Sequence, residues 1–373
     1  MNQNRKKRVK RLVFEEKLDC SGYVFTGIPS EDFDSPLMHA LFLGDVNLWK
    51  ARFVNINLTG IEFQGKVDLF KSSFENVDLS GAKFIEIDFS KSNVENTLFV
   101  RSRFKGAYFI SSTLRDVSFV DSTFDEVHFL DSYIYDSDFV GSGFGFADFS
   151  GSELITADFT DAVFYDKAYF SRASLNSVDF ECRFEGELSF SGAEIGIINI
   201  DIPSERFKLL EAEIEARRVQ RLSYEKEGRR DEADRMFVLE MRAKRRARIQ
   251  NARNTLERIK ASVHNFVEWL LADLPSEYGT NWIRLFLFSL LVIVGNAISY
   301  TVWGHYINGF PSNAGYFVRF ANALYYSLVT FTTLGYGDMH PTGWLKALSA
   351  IEALTGAVFM ALIVAVIARK WMR

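Results

Sequence analysis

The chain has 373 residues with 43 Lys and Arg against 48 Asp and Glu, a formal charge of -5. That balance excludes both a strongly basic nucleic-acid binder and an acidic disordered chain. Its two cysteines, Cys20 and Cys182, exclude a disulfide scaffold and an all-cysteine zinc site. The unusual number is 36 Phe, which helps bring aromatic residues to 15%.

Charge is segregated along the chain. Residues 1–11 hold six bases and no acid, and the stretch Asp45–Asp201 holds 26 acids against 13 bases. Ser204–Ser262 reverses this with 17 bases against 11 acids, and only 11 of the last 111 residues are charged. The parse is a soluble acidic domain, a charged connector and a membrane domain. The basic start does not read as a secretory leader, because Glu15, Glu16, Lys17 and Asp19 interrupt the apolar stretch such a leader needs. It reads as a solvated tail or as a contact with anionic lipid headgroups.

From Leu69 to Phe164, every fifth residue is apolar, and fourteen of these twenty positions are Phe. The residue two places earlier is small or β-branched nearly every time, as at Ser72, Val77, Ala82 and Ala107. One-residue slips shift the frame to Leu48, Phe53, Leu58 and Phe63 before this run, and to Phe170, Leu175 and Phe180 after it. Glu185 interrupts the later frame before Phe190. A period of five is neither that of a helix nor that of a strand. Something must therefore turn the chain every five residues, with one large and one small side chain directed inward each time.

This pattern resembles the pentapeptide-repeat family. The resemblance implies a right-handed square β-helix with four repeats per coil over roughly residues 43–200. It would have about eight coils, or about 40 Å at the spacing of stacked strands. Solenoid ends need caps, and Pro29–Gly44 is the expected N-terminal one. Asp78, Asp88, Asp116, Asp121, Asp131, Asp136, Asp148, Asp158 and Asp161 fall on outward positions. Two readings of this acidic face stand open: imitation of duplex DNA, as in some members of that family, or a solubilising surface around an aromatic core. His128 reads as plain surface. No nucleophile–base pair, metal-ligand spacing or phosphate loop occurs here, so no enzymatic activity is expected.

Pro203 ends the repeat. A helix is expected from Ser204 to about Glu227, then a second carrying Met236, Phe237, Met241, Ile249, Leu256 and Ile259 inward. Val263–Leu274, stopped by Pro275, is amphipathic and suits the membrane interface. Trp282–Trp303 and Trp344–Ala368 are apolar enough to span a bilayer. Basic residues before the first span and at Arg369, Lys370 and Arg373 after the second put both termini in the cytoplasm.

Between the spans lies Thr332-Thr333-Leu334-Gly335-Tyr336-Gly337-Asp338. This looks like the selectivity filter of potassium channels, and Ala323–Phe331 before it resembles their pore helix. The resemblance implies a two-transmembrane channel in which rings of main-chain oxygens from four chains replace the hydration shell of K+. The ion sites would be formed at Thr333, Leu334, Gly335 and Tyr336, with Gly337 completing the loop. Gly335 and Gly337 tolerate the left-handed angles that aim successive carbonyls one way. Thr332, Asp338, Tyr325 and Tyr326 would support the filter.

Leu334 stands where valine is commoner, Tyr325 and Tyr326 where tryptophans are frequent, and Val329 where some members carry a glutamate. Gly356 falls at the family's gating hinge, although a small residue there also serves close helix packing. Glu352 is an ionisable residue at membrane depth and so a gating candidate. Ala357, Met360, Val364 and Ala368 would line the pore.

The expected fold class is thus a multidomain membrane protein: a square β-helix, a helical connector and an all-α two-transmembrane pore domain. The expected boundaries are 1–44 for tail and cap, 45–202 for the β-helix, 203–261 for the connector and 262–280 for the interfacial helix. The outer span follows at 281–304, the pore helix and filter at 317–343, and the inner span at 344–373. The expected partners are three further copies, the lipid bilayer of the cell membrane, and a cytoplasmic ligand or protein at the β-helix, with no nucleic acid. K+ is the permeant ion, and no organic cofactor is expected. With five residues after Ala368, any ligand-gating apparatus is expected to be N-terminal, and no span carries the repeated arginines of a voltage sensor.

Overall fold

A computed structural model describes residues 12–26 and 37–371, which form two compact units meeting in sequence at Gln250 and Asn251. The basic tail at 1–11, half of the expected cap at 29–36, and the side chains of 369–373 lie outside the described residues.

The first unit is a parallel β-solenoid. Strands pair in register at 20-residue spacing, Phe84 with Phe104 and Phe104 with Phe124, so four pentapeptides make one coil. One wall is a column of nine parallel strands running from Val24–Thr26 to Glu194–Ile195. The lumen is filled by stacked rings, for example Phe89 on Phe109 at 4.7 Å and Phe139 on Phe159 at 4.7 Å. Each such ring, fully buried, contributes about 1.5–3 kcal/mol. The small residue of each repeat sits in the corner, and at several of the serines, though not at Ser72, the hydroxyl donates to a backbone carbonyl. Ser102 reaches Leu79 O at 2.8 Å and Ser142 reaches Phe119 O at 2.6 Å.

The turn that a period of five demands lies two residues after the central side chain at three of the four walls of a coil, the wall of Phe84, Phe104 and Phe124 being the exception. Lys71, Asn76, Lys91, Asn96, Arg101 and Ser111 have φ between 46° and 59°, as do Asp116, Asp121, Asp131, Asp136 and Asp161. Gly81, Gly141 and Gly151 stand at the same position. The residue just before the central one makes a second contact. Asp78, Asp88, Asp148 and Asp158 each accept through Oδ1 from the backbone N–H two residues on, at 2.8–2.9 Å. All nine acids of the outward face thus occupy turn positions, where short polar side chains favour left-handed or Asx-turn backbone. Turn chemistry suits these aspartates, although Lys71, Lys91 and Arg101 take the same left-handed position.

Three features differ from the sequence reading. The first coil starts at Val13, ahead of the expected boundary at 45: Val13–Phe14 pairs with Leu41–Phe42, and Phe25 stacks on Phe53 at 4.8 Å. Leu41–Phe42, expected in the cap, is therefore a strand of the solenoid. Glu185 does not break the lumen, because Phe184 takes the inward place and stacks on Phe164 at 5.2 Å. The shift is absorbed by a bulge at the preceding coil, between Phe144 and Phe146 and their partners.

The solenoid's last coil is closed by helix α1 (Leu210–Lys226), which packs in antiparallel fashion on α2 (Arg230–Gln250) across Gly228 at φ 74°. Side chains of α1 satisfy the backbone of the terminal coil. Gln220 Oε1 accepts from Ile200 N at 2.6 Å, Ser223 Oγ accepts from Ile198 N at 3.0 Å, and Arg217 Nη2 donates to Ile202 O at 2.7 Å. The buried positions of α2 are Ala233, Met236, Val238, Glu240, Ala243 and Ala247. Ile249, Leu256 and Ile259 are exposed, contrary to expectation, because α2 ends at Gln250 and a new helix begins. That helix, α3 (Thr255–Glu268), is capped by Asn254, whose side chain accepts from Glu257 N.

In the second unit, α3 continues through a wide turn at Trp269–Asp273. It exposes Leu256, Ile259, Val263, Phe266 and Leu270 along one stripe. Two long apolar helices follow, α4 (Trp282–Trp303) and α6 (Leu345–Trp371), with the shorter α5 (Tyr316–Phe331) packed against both. The candidate spans, Trp282–Tyr306 and Leu345–Ala368, have 25 and 24 residues. At about 1.5 Å per residue each is long enough to cross a bilayer.

Candidate functional site

Helix α5 ends in a motif that shapes what comes after it. Thr333 N donates to Thr330 O at 3.1 Å and Leu334 N to Val329 O at 3.0 Å, the paired bonds of a Schellman C-cap. Such a cap needs a left-handed residue, and here it is Thr333 at φ 57°. The same handedness recurs at Gly335 (φ 56°) and Gly337 (φ 81°), so positions 333, 335 and 337 alternate with ordinary backbone. Sequence reasoning pointed to the two glycines; the threonine had no such signal, since a β-branched residue rarely adopts that angle. The carbonyl end of α5, with its partial negative charge, adjoins this loop.

Thr332 closes the helix, its hydroxyl donating to Leu328 O at 2.7 Å. Leu334 and Tyr336 are 61% and 67% exposed in the single chain, so one copy leaves the loop open to neighbours. Beyond the loop, Asp338 and Tyr325 line the same pocket beside Tyr336 and Gly337. A short antiparallel pair, Ile307–Asn308 with His340–Pro341, then returns the chain toward α6.

Tyr325 and Tyr326 part company. The ring of Tyr326 packs edge-on against Tyr300 at 4.9 Å, and its hydroxyl meets Ser349 Oγ at 3.0 Å.

Glu352, one of the gating candidates, has its partners here. Its Oε2 accepts from the Tyr300 hydroxyl of α4 at 2.6 Å, and its Oε1 meets the Ser327 hydroxyl of α5. Tyr300 also reaches Ser349 at 3.1 Å, and Ser327 reaches the Ile293 carbonyl at 2.8 Å. Tyr300, Ser327 and Ser349 were not singled out in the sequence. Their only signal was polar side chains placed within apolar helices. Gly356, one turn beyond Glu352 on the same face, is buried against α5. Ala357, Met360 and Val364 are exposed on another face of α6, Met360 at 46% and Val364 at 65%.

Residues 286–373 match the family model described as an ion channel. This segment belongs to the ion-channel family. The ion-channel domain, with its two candidate spans, makes the chain a membrane protein, and the β-solenoid is its N-terminal domain. Solved structures similar to the solenoid include full-length QnrB1, a plasmid-mediated fluoroquinolone resistance protein. It is 13% identical, the match covers 52% of this chain and 95% of that one, and the TM-score is 0.26. HetL, a pentapeptide repeat protein from the cyanobacterium Nostoc sp. strain PCC 7120, is 14% identical over 50% of this chain and 89% of its own, with a TM-score of 0.18. The corresponding values for Rfr23 from the cyanobacterium Cyanothece 51142 are 13%, 47%, 90% and 0.11. No curated protein matches the chain.

Proposed function

We propose that the chain is a potassium-selective channel that assembles as a homotetramer and conducts K+ passively through a ring of main-chain oxygens. The observation that carries this reading is the alternation of left-handed angles at Thr333, Gly335 and Gly337, inside a segment of the ion-channel family. K+ is conducted only if it sheds water without loss, and an alternating backbone can turn successive carbonyls toward one axis. Thr333 adds a hydroxyl at the inner end, and Asp338, beside Tyr325, braces the outer mouth. One loop gives a quarter of such a ring, and the exposure of Leu334 and Tyr336 leaves room for three more copies.

Exposed Ala357, Met360 and Val364 line the pore below as an apolar gate that can close by dewetting. The N-terminal β-helix modulates that gate from the cytoplasm, in response to a ligand or protein. Voltage does not drive it, because the two spans hold only scattered charges, Arg284, Lys346 and Glu352. Basic residues flanking both spans on one side place the two termini in the cytoplasm, at the cell membrane.

The deciding experiment is flux from vesicles reconstituted with full-length protein. Potassium passes, sodium is excluded, and Gly335→Ala abolishes the difference. Equal passage of the two ions by the parent protein overturns the reading. Modulation by the rod is tested by recording single channels from protein lacking residues 1–250, a cut at the unit boundary; an unchanged open probability rejects it.

A further inference from the structure

The ion-channel domain buries one carboxyl group that conduction itself does not use. Glu352 is 2% exposed, and the groups that bond it are hydroxyls. Among the described residues no lysine, arginine or histidine pairs with it. A carboxylate in that position is costly, since burial removes its water and nothing cationic replaces it.

Counting hydrogens sharpens the point. The chain of contacts runs Ile293 O, Ser327, Glu352, Tyr300, Ser349, Tyr326, which makes five links. The four hydroxyls among them supply four hydrogens. Ser327 in particular lies in reach of two acceptors, the Ile293 carbonyl and Glu352 Oε1, and has a single hydrogen to give. With Glu352 ionised, one link must be two oxygens facing each other with nothing between them. With Glu352 neutral the chain closes. Its O–H donates to Ser327 Oγ and Ser327 donates to Ile293 O. At the other end Tyr300 donates to Glu352 Oε2, Ser349 to Tyr300, and Tyr326 to Ser349.

We infer that Glu352 is a proton-carrying positioning residue that ties α4 and α6 to α5 and so fixes the helix that presents the filter loop. Each of the three helices contributes to the chain of bonds: Ile293 and Tyr300 from α4, Ser327 and Tyr326 from α5, Ser349 and Glu352 from α6. The proton is read from geometry alone. Only its consequence for conduction rests on the channel reading.

Two measurements on full-length protein in lipid vesicles test this. The first is the infrared difference between the parent and Glu352→Gln near neutral pH. A protonated-carboxyl carbonyl stretch present in the parent and missing from the variant is expected; no such band overturns the inference, whether or not the protein conducts. The second is rescue. A glutamine amide can donate to Ser327 and accept from Tyr300, so Glu352→Gln keeps K+ flux near the parent's. Glu352→Ala, which strands both hydroxyls, lowers flux about tenfold, as expected for an unmet buried hydrogen bond. Should Glu352→Ala fail to assemble, Ser327→Ala breaks the same link within apolar surroundings and is expected to lower flux likewise. Equal loss in the Gln and Ala variants overturns the neutral acid. A parent that passes no K+ while the infrared band is present sinks the channel reading and leaves the proton in place.

Discussion

Gly356 and the Phe331 carbonyl lie so close that a Cβ on Gly356 would meet that oxygen at 1.8 Å. Helix α6 therefore crosses the last turn of α5 backbone against backbone, one turn beyond the Glu352 contact. The glycine serves packing in this structure, whatever freedom it also gives the helix. Gly356→Ala cannot be accommodated by a side-chain shift, because the obstacle is main chain. It should cost at least the 1–3 kcal/mol typical of overpacking. The expected outcome is a lowered thermal midpoint of the reconstituted protein together with loss of K+ flux. A glycine needed only as a hinge would leave the midpoint unchanged and alter open probability alone.

Thr333 bears backbone strain that glycine would not. A β-branched residue at φ 57° stores on the order of 1–3 kcal/mol. Thr333→Gly relaxes the Schellman cap but removes the hydroxyl, and Thr333→Ser keeps the hydroxyl. On the proposed function, Thr333→Gly should fold at least as stably as the parent while its preference for K+ over Na+ falls. Thr333→Ser should retain that preference. Reversal potentials under bi-ionic conditions, with melting curves alongside, measure both.

The legibility of this chain varied with the range of the interactions. The lumen could be read directly, because Phe74, Phe84 and their successors recur at a fixed step and one interior position forces them all to be alike. The turn position could not, because Lys71, Asn76, Arg101, Ser111 and Asp131 share a backbone angle and no chemistry. The first coil was hidden since Phe14, Leu18 and Phe25 keep no five-residue step. The filter loop was legible as a contiguous heptapeptide. The partners of Glu352 were not, because Tyr300 and Ser327 stand 52 and 25 residues away and meet it only through helix packing.

The acidic face of the solenoid offers a test between turn chemistry and a recognition surface. Asp88 Oδ1 holds the N–H of Ser90 at 2.8 Å, a bond that asparagine can make as well. Asp88→Asn should leave stability nearly unchanged, and Asp88→Ala should cost about 0.5–1.5 kcal/mol, one net hydrogen bond. Asparagine at 78, 88, 148 and 158 together removes four charges while keeping all four turns. Retained rod stability in denaturant titrations is expected; collapse of the solenoid in the Asn variant would mean that charge itself holds the coils.

Cys182 makes the rod sensitive to alkaline pH. Burial pushes its thiol well above the ordinary range, and the side chain is fully enclosed in the small-residue corner. A thiol raised on folding adds stability that is complete below its unfolded value, about 8.5, and is lost as the pH climbs toward the folded value. Denaturant midpoints should therefore hold near neutral pH and decline above about pH 9. Cys182→Ala should remove that contribution at modest cost, since Ala162 and Ala173 fill equivalent corners with no exposure. Alkylation reads the same difference without unfolding. The half-buried thiol of Cys20, raised less by partial burial and by Asp19, should react slowly at neutral pH and faster as pH rises. Cys182 should stay unmodified until denaturant opens the coil, and its labelling in the folded protein at neutral pH would contradict the enclosed corner.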